Sequence, residues 1–572
     1  MKAVFQFMVL ISSFLLLFGC GERDEIVVGN GQNQIISDYL SVNEIRGIQR
    51  GTPCLIRTVV EGVKTIDLSG KFLEVMDDSG LGIPLLVCES SDPRFKQYSG
   101  IVAGMSGSPV LINGKVIGAL AYAFGATTNP PYIFLATPLE YMEEVANKKS
   151  MEDYLNMAPA KFSGLIPVKI PLSLPVSWGD KTIQEKTIIQ NPNLEIFNWS
   201  GNSHQAIPVD AGFLKPGEMI AVTLAYGPLV NVEAYGTVSW VRGNEVYAFG
   251  HPFFGAGKFQ APFRRAWVHK VVSSNYEPFK FCSSFGDFLG TINKDFTPGV
   301  SGTLGKIPSM IPLVLSYTGP DGQTKEITHY VAPGVEWLID DILTIAVYAY
   351  RDEDSSGSME GALTLEFNET EKNIKAPLQI SSYSPLNAVF YQISDLVGVF
   401  TDRVANNVAR VTLKKVVLEI HDSAEIKTAQ IISVEPKGDL IAGKTCEIEV
   451  KIKPYRSSPV SKTIFLEVLV DFPKGSANLS VSANEVTVDD LGDKEKQEKE
   501  FPETLDELIS KAEKDWLKQK ITATLTSVSS TEIAPEESSS EIFPVPEIKP
   551  VKGEITVAWI IEGNAEKEVE VK

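Results

Sequence analysis

The sequence predicts a mainly β protein of several domains. Its 572 residues exceed what one hydrophobic core holds and suffice for roughly three or four domains. Two long blocks, residues 43–150 and 216–350, are rich in short Val/Ile/Leu runs broken by glycine, aspartate and proline. Residues 409–488 carry evenly spaced apolar runs separated by turn residues, a pattern typical of a β-sandwich. These three blocks are expected to form the main β units.

The N-terminus predicts export. Residues 1–20, MKAVFQFMVLISSFLLLFGC, contain one lysine, an apolar run and a final cysteine. The run is too short and wrongly flanked for a membrane span, so it indicates a signal peptide. Its ending resembles a bacterial lipobox, in which Cys20 becomes the lipidated first residue; the alternative is a plain signal peptide that contains a cysteine. The protein is therefore expected to lie on the periplasmic or extracellular side of a membrane, held by the lipid.

Helices and irregular segments are predicted between the β blocks. Thr137 and Glu140 form a capping box around Pro138, which predicts a helix there. Thr504 and Glu507 cap a second predicted helix. The predicted order is the signal at 1–20, a tether at 21–42, β blocks at 43–150 and 216–350 around a connector at 151–215, a helix at 386–406, an immunoglobulin-like β-sandwich at 409–488, a helix at 502–520, a flexible linker at 525–553 and C-terminal strands at 554–572.

Charge and composition exclude several function classes. The net charge of −20 repels phosphates, so nucleic acid is not expected as a partner. The five histidines and five cysteines show no metal-ligand spacing, and no phosphate-binding loop is present, so neither a metal nor a cofactor is expected. Cys54 and Cys88 both lie in the first block; an exported protein could bridge them, but sequence alone leaves their separation open.

The stretch GIVAGMSGSPVLINGKVIGALAY, residues 100–122, predicts chemistry. A serine hydroxyl needs a base within hydrogen-bond reach and donors aimed at the developing oxyanion. The glycines let the backbone turn so that the N–H groups of Gly104 and Ser106 converge as an oxyanion hole. A GxSGxP motif followed by a hairpin, here at Asn113-Gly114, is what chymotrypsin-like peptidases show at their nucleophile, which makes Ser106 the candidate. The alternative is a glycine-rich β-turn without chemistry.

Three segments together resemble the SpoIVB family of serine peptidases. They are SGIVAGMSGSPVLINGKVIGALAYAF at 99–124, YGTVSWVRGNEVYAFGHPF at 235–253 and FLGTINKDFTPGVSGTLGK at 288–306. The resemblance extends over about residues 43–145 and 216–315. It implies a chymotrypsin-like double β-barrel with the site between the barrels. In this chain the serine segment precedes the histidine segment, so the two halves look circularly permuted relative to the family.

The resemblance also implies the partners of Ser106. His251, in FGHPF, takes the place of the general base that accepts the serine proton and later returns it. A third, carboxylate member would hold the imidazole in the right tautomer. Asp92, upstream of the serine, matches the family's aspartate, and Asp295 is the rival because it belongs to the histidine barrel. Both aspartates have an alternative interpretation as ordinary turn residues.

The sequence therefore favours an exported serine endopeptidase that forms an acyl-enzyme and acts on envelope or secreted proteins. The alternative is a catalytically inactive peptidase-fold scaffold that binds a partner at the envelope. Self-processing is a third hypothesis, because the 151–215 connector and the 525–553 linker would be accessible. The expected partners are a protein or peptide substrate and, through the lipid, a membrane; the oligomeric state is left open.

Overall fold

The computed structural model describes residues 39–123, 129–147, 166–174, 194–198, 213–255, 257–274, 277–351, 357–382, 393–400, 411–484, 504–509, 520–528 and 550–572. The predicted signal, Cys20 and most of the tether lie outside these residues, as do most of the connector and of the 525–553 linker. Within the described ranges, no helix has the length and apolar character needed to cross a membrane.

The first β block forms a closed six-stranded antiparallel barrel. Pairing runs β4-β1-β2-β3-β6-β5 and returns from β5 to β4. The strands are β1 (Pro53–Val59), β2 (Thr65–Met76), β3 (Leu85–Ser90), β4 (Pro109–Ile112), β5 (Lys115–Ala123) and β6 (Tyr132–Pro138), accompanied by α1 (Val42–Arg46), α2 (Pro93–Gln97) and α3 (Leu139–Asn147). The predicted hairpin at Asn113-Gly114 is confirmed, since both residues have positive φ, 51° and 78°, and join β4 to β5.

The predicted helix after this barrel is present, but its predicted capping box is wrong. The helix begins at Leu139. The Thr137 hydroxyl instead donates a 2.5 Å hydrogen bond to the Gly250 carbonyl of the second barrel. The Glu140 carboxylate accepts from the Val42 N–H. Tertiary partners in the folded chain have displaced the local cap that the sequence pattern favours.

A short crossing segment leads into a second barrel. β7 (Ile166–Pro167) pairs with β5 of the first barrel, and β8 (Ile170–Leu174) pairs with a strand of the second barrel and with β9 (Leu194–Asn198). Six strands then close in the order β10-β13-β14-β15-β12-β11, with β11 returning to β10. They are β10 (Met219–Tyr226), β11 (Asn231–Arg242), β12 (Glu245–Ala248), β13 (Gly257–Val272), β14 (Phe279–Phe296) and β15 (Gly299–Leu304). The predicted double β-barrel is confirmed.

The second barrel continues into an open sheet. One strand of this sheet was predicted to belong to the sandwich. From β10 the pairing runs through β17, β16, β20 and β18 to β19. These are β16 (Ile311–Thr318), β17 (Thr324–Val331), β18 (Gly357–Phe367), β19 (Ile374–Ser382) and β20 (Leu413–Ser423), with α4 (Ile339–Tyr348) after β17. The sequence placed β20 in the sandwich, whereas it pairs in parallel with β16. Alternating apolar residues reveal a half-buried strand but not the sheet it joins. Of the predicted 386–406 helix, residues 393–400 are described and are helical.

The C-terminal part is a sandwich of two four-stranded sheets, β23-β22-β21-β27 and β26-β25-β24-β28. The strands are β21 (Thr428–Pro436), β22 (Thr445–Pro454), β23 (Val460–Glu467), β24 (Gly475–Asn484), β25 (Lys520–Ser527), β26 (Val551–Thr556), β27 (Ile560–Glu562) and β28 (Asn564–Val571). Side chains of both sheets, among them Ile448, Val450 and Leu479, share one buried cluster. Of the predicted 502–520 helix, residues 505–509 are helical, and the Thr504 hydroxyl accepts from the Glu507 N–H. The immunoglobulin-like affiliation stays a prediction.

Candidate active site

The serine turn of the first barrel is fastened directly to β11 of the second. The Thr237 N–H donates to the Ser106 carbonyl at 2.9 Å, and the Thr237 hydroxyl donates to the Gly104 carbonyl at 2.9 Å. Further along β11, the Ser239 hydroxyl donates to the Gly107 carbonyl at 2.8 Å. These bonds are buried. They hold the turn against the second barrel, so that Ser106 faces residues contributed by the other half of the chain.

Gly107 allows this close approach. Its φ is +89°, in the left-handed region that side chains disfavour. A Cβ at this position would lie 2.1 Å from the Thr237 carbonyl oxygen and 2.5 Å from the Phe249 nitrogen. Both contacts are with backbone, which cannot swing away. The glycine after the serine is therefore required by the meeting of the two barrels.

Ser106 and His251 are brought together across this junction. The Ser106 Oγ lies 2.6 Å from the His251 Nε2 and 2.5 Å from the Phe249 carbonyl oxygen, and neither Ser106 nor His251 is exposed. The histidine follows β12 at a turn in which Phe249 and Gly250 both have positive φ, 70° and 71°. A positive φ at a buried phenylalanine is a strained conformation of the kind that clusters at functional sites. This turn directs the imidazole back toward the serine.

The other imidazole nitrogen contacts a backbone carbonyl. His251 Nδ1 lies 2.8 Å from the Pro252 oxygen. When Nδ1 carries the proton and donates it to this oxygen, the Nε2 lone pair is available to the Ser106 hydroxyl. Burial lowers the pKa of His251 below its ordinary value, against the opposing effect of contacts with the Pro252 and Val168 carbonyls, so the neutral ring is favoured. A neutral base beside a serine hydroxyl can accept its proton.

Asp92, the first choice for a triad carboxylate, is not placed at His251. It is the N-cap of α2, where its carboxylate accepts from the Arg94 N–H at 3.1 Å. The same carboxylate is paired with the Arg94 guanidinium and accepts from the Ser69 N–H. The hydrogen bond from the Arg94 side chain is the largest cause that lowers the pKa of Asp92. Asp92 thus orders a helix of the first barrel, and its assignment to the triad is not supported by these contacts.

Asp295, the rival, lies fully buried on β14 and holds the histidine loop instead of the imidazole. Its two carboxylate oxygens accept from the N–H groups of Phe253 and Phe254, each at 2.7 Å. These residues follow His251 and Pro252 in the chain. Asp295 therefore fixes the loop that carries both the imidazole and the carbonyl at Nδ1. It is a positioning residue in this geometry.

The predicted oxyanion donor Gly104 already binds a carbonyl. Its N–H donates a 2.9 Å hydrogen bond to the oxygen of Lys169, in the segment between β7 and β8. Ser106, whose N–H is the second predicted donor, lies two residues further along the same turn. The Gly104 N–H therefore points to a place where a carbonyl oxygen fits.

Sequence reasoning missed Lys280, a fully buried lysine packed against this turn. Its Nζ donates to the Thr58 hydroxyl at 2.7 Å and contacts the Met219 sulfur at 3.3 Å. The Ser108 hydroxyl also donates to Thr58 Oγ1, at 3.0 Å. Burial lowers the pKa of Lys280 to about 7. The alternating sequence pattern around Lys280 does not indicate this position, because only the fold shows that this face of β14 meets the serine turn.

Neither a metal cluster nor a disulfide occurs in the described part of the chain. No group of three or more His, Cys, Asp or Glu side chains there could hold a metal ion. Cys54 and Cys88, whose pairing the sequence left open, are buried free thiols. They share a hydrogen bond, which is the largest cause of the raised pKa of Cys88.

The first barrel can be placed among known proteins. Residues 22–137 match the family model described as SpoIVB peptidase S55. The predicted SpoIVB-like family is thereby confirmed over this segment, which contains Ser106, and the match supports a serine peptidase of the SpoIVB type in general terms. The S55 segment ends before His251, so the permuted order of the two halves stays a prediction. Searches of curated proteins and of solved structures gave no match.

Proposed function

We propose that this protein is a serine endopeptidase in which Ser106 is the nucleophile and His251 the general base. The observation that carries the proposal is the 2.6 Å separation of Ser106 Oγ and His251 Nε2, made by two barrels of a chain whose first barrel matches the S55 family. Hydrogen-bond distance between a hydroxyl and an imidazole is the first requirement of general-base catalysis.

The geometry supports an acyl-enzyme mechanism. Ser106 Oγ attacks the substrate carbonyl carbon while its proton passes to His251 Nε2, and the carbonyl oxygen gains negative charge. The Gly104 N–H, which donates to the Lys169 carbonyl in the structure, would donate to the substrate oxygen instead and stabilise that charge. The imidazolium keeps its Nδ1–H on the Pro252 oxygen and returns the Nε2 proton to the departing amine. Water then attacks the ester and loses a proton to Nε2. Nε2 returns this proton to Ser106 Oγ as the ester C–O bond breaks, so the carboxylic acid product leaves and Ser106 is regenerated.

The proposed location and substrates follow from the N-terminal sequence. The predicted signal with Cys20 at its end would export the protein and attach it to a membrane by a lipid. An exported endopeptidase would act on envelope or secreted proteins. The competing proposal is an inactive scaffold, which the complete burial of Ser106 and His251 favours. The two proposals differ in whether Ser106 reacts.

Covalent labelling with a fluorophosphonate tests the function. The probe phosphonylates a serine only when a base removes its proton, so wild type should carry the label on Ser106, located by mass spectrometry of its peptides. The His251→Gln variant should lose the label and the Ser108→Ala variant should keep it. Absence of the label on Ser106 after prolonged incubation, together with absence of casein cleavage, contradicts the peptidase and favours the scaffold.

The pH dependence of activity should reflect the buried histidine. Because burial lowers the pKa of His251, the neutral base persists to lower pH than an exposed histidine would allow. We expect kcat/KM to fall on the acid side with a midpoint below pH 6.5 and to hold from that midpoint toward neutral pH. Initial rates in constant-ionic-strength buffers measure it. An acid limb centred above pH 7 would contradict the assignment of His251 in this environment.

The two aspartates should respond differently to removal. Asp295→Ala removes the acceptor of the buried Phe253 N–H and of the partly buried Phe254 N–H, of which the buried one costs about 1–3 kcal/mol. It should lower kcat about a hundredfold as the imidazole loses its position. Asp92→Ala loses an N-cap worth about 1 kcal/mol and should keep kcat within about twofold. Urea unfolding and steady-state kinetics measure both, with Asp295→Asn as the conservative variant. A larger kcat loss in Asp92→Ala than in Asp295→Ala would indicate that Asp92 acts in the site.

A further inference from the structure

A short piece of the chain occupies the Ser106–His251 site. β7 pairs antiparallel with the end of β5, Ile166 opposite Ala123 and Pro167 opposite Tyr122. The next N–H, that of Val168, donates to the Ala121 carbonyl at 2.8 Å. Addition of an extended peptide to the edge of a strand is a general mode of peptide recognition. Residues 166–169 therefore lie along β5 as an extended substrate would.

The carbonyls of this segment engage both catalytic elements. The Lys169 oxygen accepts from the Gly104 N–H at 2.9 Å, where the mechanism needs the substrate carbonyl. The Val168 oxygen lies 2.9 Å from His251 Nε2. A neutral ring carries one proton, so it donates either from Nδ1 to the Pro252 oxygen or from Nε2 to the Val168 oxygen. In the Nε2–H tautomer the ring cannot accept the Ser106 proton, and the serine hydroxyl donates to the Phe249 oxygen. In that tautomer the segment fills the site in an arrangement that does not favour attack on it.

The side chain of Lys169 shows what the site recognises. Its Nζ lies 2.6 Å from Glu277 Oε2, and both side chains are partly buried, 24% and 31% exposed. Glu277 belongs to the second barrel, directly before Pro278, whose carbonyl accepts from the Ala103 N–H at 2.8 Å. Ala103 precedes Gly104. The backbone that carries Glu277 is therefore held next to the oxyanion donor by a bond that does not involve the 166–169 segment.

We propose that Glu277 selects a basic side chain at the substrate residue whose carbonyl binds the Gly104 N–H, and that residues 166–169 mimic such a substrate. The proposal rests on the proposed peptidase function, since it names the substrate of the same site. A substrate must displace the segment, because Ser106 and His251 are fully buried beneath it. A peptide with lysine or arginine keeps the ion pair with Glu277 in the exchange, whereas a neutral one leaves this partly buried carboxylate without it.

Fluorogenic peptides copied from the segment test the selectivity. The series is Ile-Pro-Val-X with X as lysine, arginine, norleucine or glutamate, cleaved by the full chain. Wild type should show a kcat/KM about tenfold or more higher for lysine than for norleucine. Glu277→Gln should bring the ratio near one by slowing the lysine peptide, and Glu277→Lys should favour glutamate. Glu326→Gln, which alters an exposed glutamate of β17, should leave the ratio unchanged.

Fluorophosphonate labelling of Ser106 distinguishes a failure of the proposed selectivity from a failure of the proposed peptidase function. Lys169→Met removes the ion pair that fastens the segment, so the rate of fluorophosphonate labelling should rise about tenfold, while Lys115→Met at the hairpin should not change it. Labelled Ser106 with equal rates on lysine and norleucine peptides overturns the selectivity and leaves the peptidase standing. An unchanged labelling rate in Lys169→Met overturns the substrate mimic. No labelling and no cleavage in any variant overturns the function itself.

Discussion

Ser106→Ala should reduce peptide hydrolysis by a factor on the order of 10⁶, the loss that removal of the triad serine or histidine causes in subtilisin. The substitution removes the atom that forms the acyl-enzyme, and the remaining oxyanion donor gives only residual catalysis. The Ser106 hydroxyl contacts His251 and Phe249 within the junction, so its loss deletes a few contacts and leaves the barrels in place. Cleavage of casein or of the Ile-Pro-Val-Lys peptide measures the effect.

A matched control is available in the same turn. Ser108 is also fully buried, but its hydroxyl donates to Thr58 and is not placed at His251. Ser108→Ala should therefore retain the rate within about tenfold while losing roughly 1 kcal/mol of stability. Wild-type rates in Ser106→Ala would reject the nucleophile assignment, and an equal loss in the two variants would show that the effect comes from the turn and not from the hydroxyl.

Gly107→Ala should prevent the two barrels from assembling. The new methyl group would meet the Thr237 carbonyl oxygen at 2.1 Å, and the positive φ adds backbone strain. Relief requires the serine turn to withdraw from β11, so we expect a loss of at least about 4 kcal/mol of stability, at the extreme of single substitutions. Thermal unfolding and soluble yield report it, together with the loss of Ser106 labelling.

Gly114→Ala is the comparison for this prediction. Gly114 also has a positive φ, of 78°, but nothing lies within 4 Å of the Cβ it would acquire. Its cost should be limited to the backbone strain, about 1–2 kcal/mol. Equal stability losses in the two variants would mean that strain alone explains Gly107, and that the approach of the barrels is looser than described.

The double barrel and the pairing of Ser106 with His251 could be predicted through the resemblance to the SpoIVB family, which short segments of the sequence carry. The glycines, the hairpin and the segment around His251 each carry their information within about 25 residues. The carboxylate could not be predicted in this way. Asp92 fits a motif position, yet a neighbouring arginine and a helix terminus provide its partners. Asp295 acts on backbone amides, which no side-chain pattern reveals.

Other features depend on contacts between parts of the chain that are far apart in sequence. β20 alternates as a sandwich strand should, but its partner β16 lies about a hundred residues earlier. The burial of Lys280 follows from its packing against Gly104. The occupied site is likewise a tertiary feature, because residues 166–169 read as part of a proline- and asparagine-rich connector. The periodicity of a sequence does not predict which connecting segment packs against which turn.

The nucleophile and the base belong to separate barrels, and this division has a consequence for fragments of the protein. Each barrel closes its own ring of hydrogen bonds, yet each supplies only one reactant of the proton transfer. A piece ending near residue 147 would contain the hydroxyl without an acceptor, and a piece beginning near 213 the acceptor without a hydroxyl. Mixing the two pieces would restore peptide hydrolysis only if the hydrogen bonds between Thr237 and the serine turn form again. The recovered rate of hydrolysis would therefore measure how much of this junction has formed.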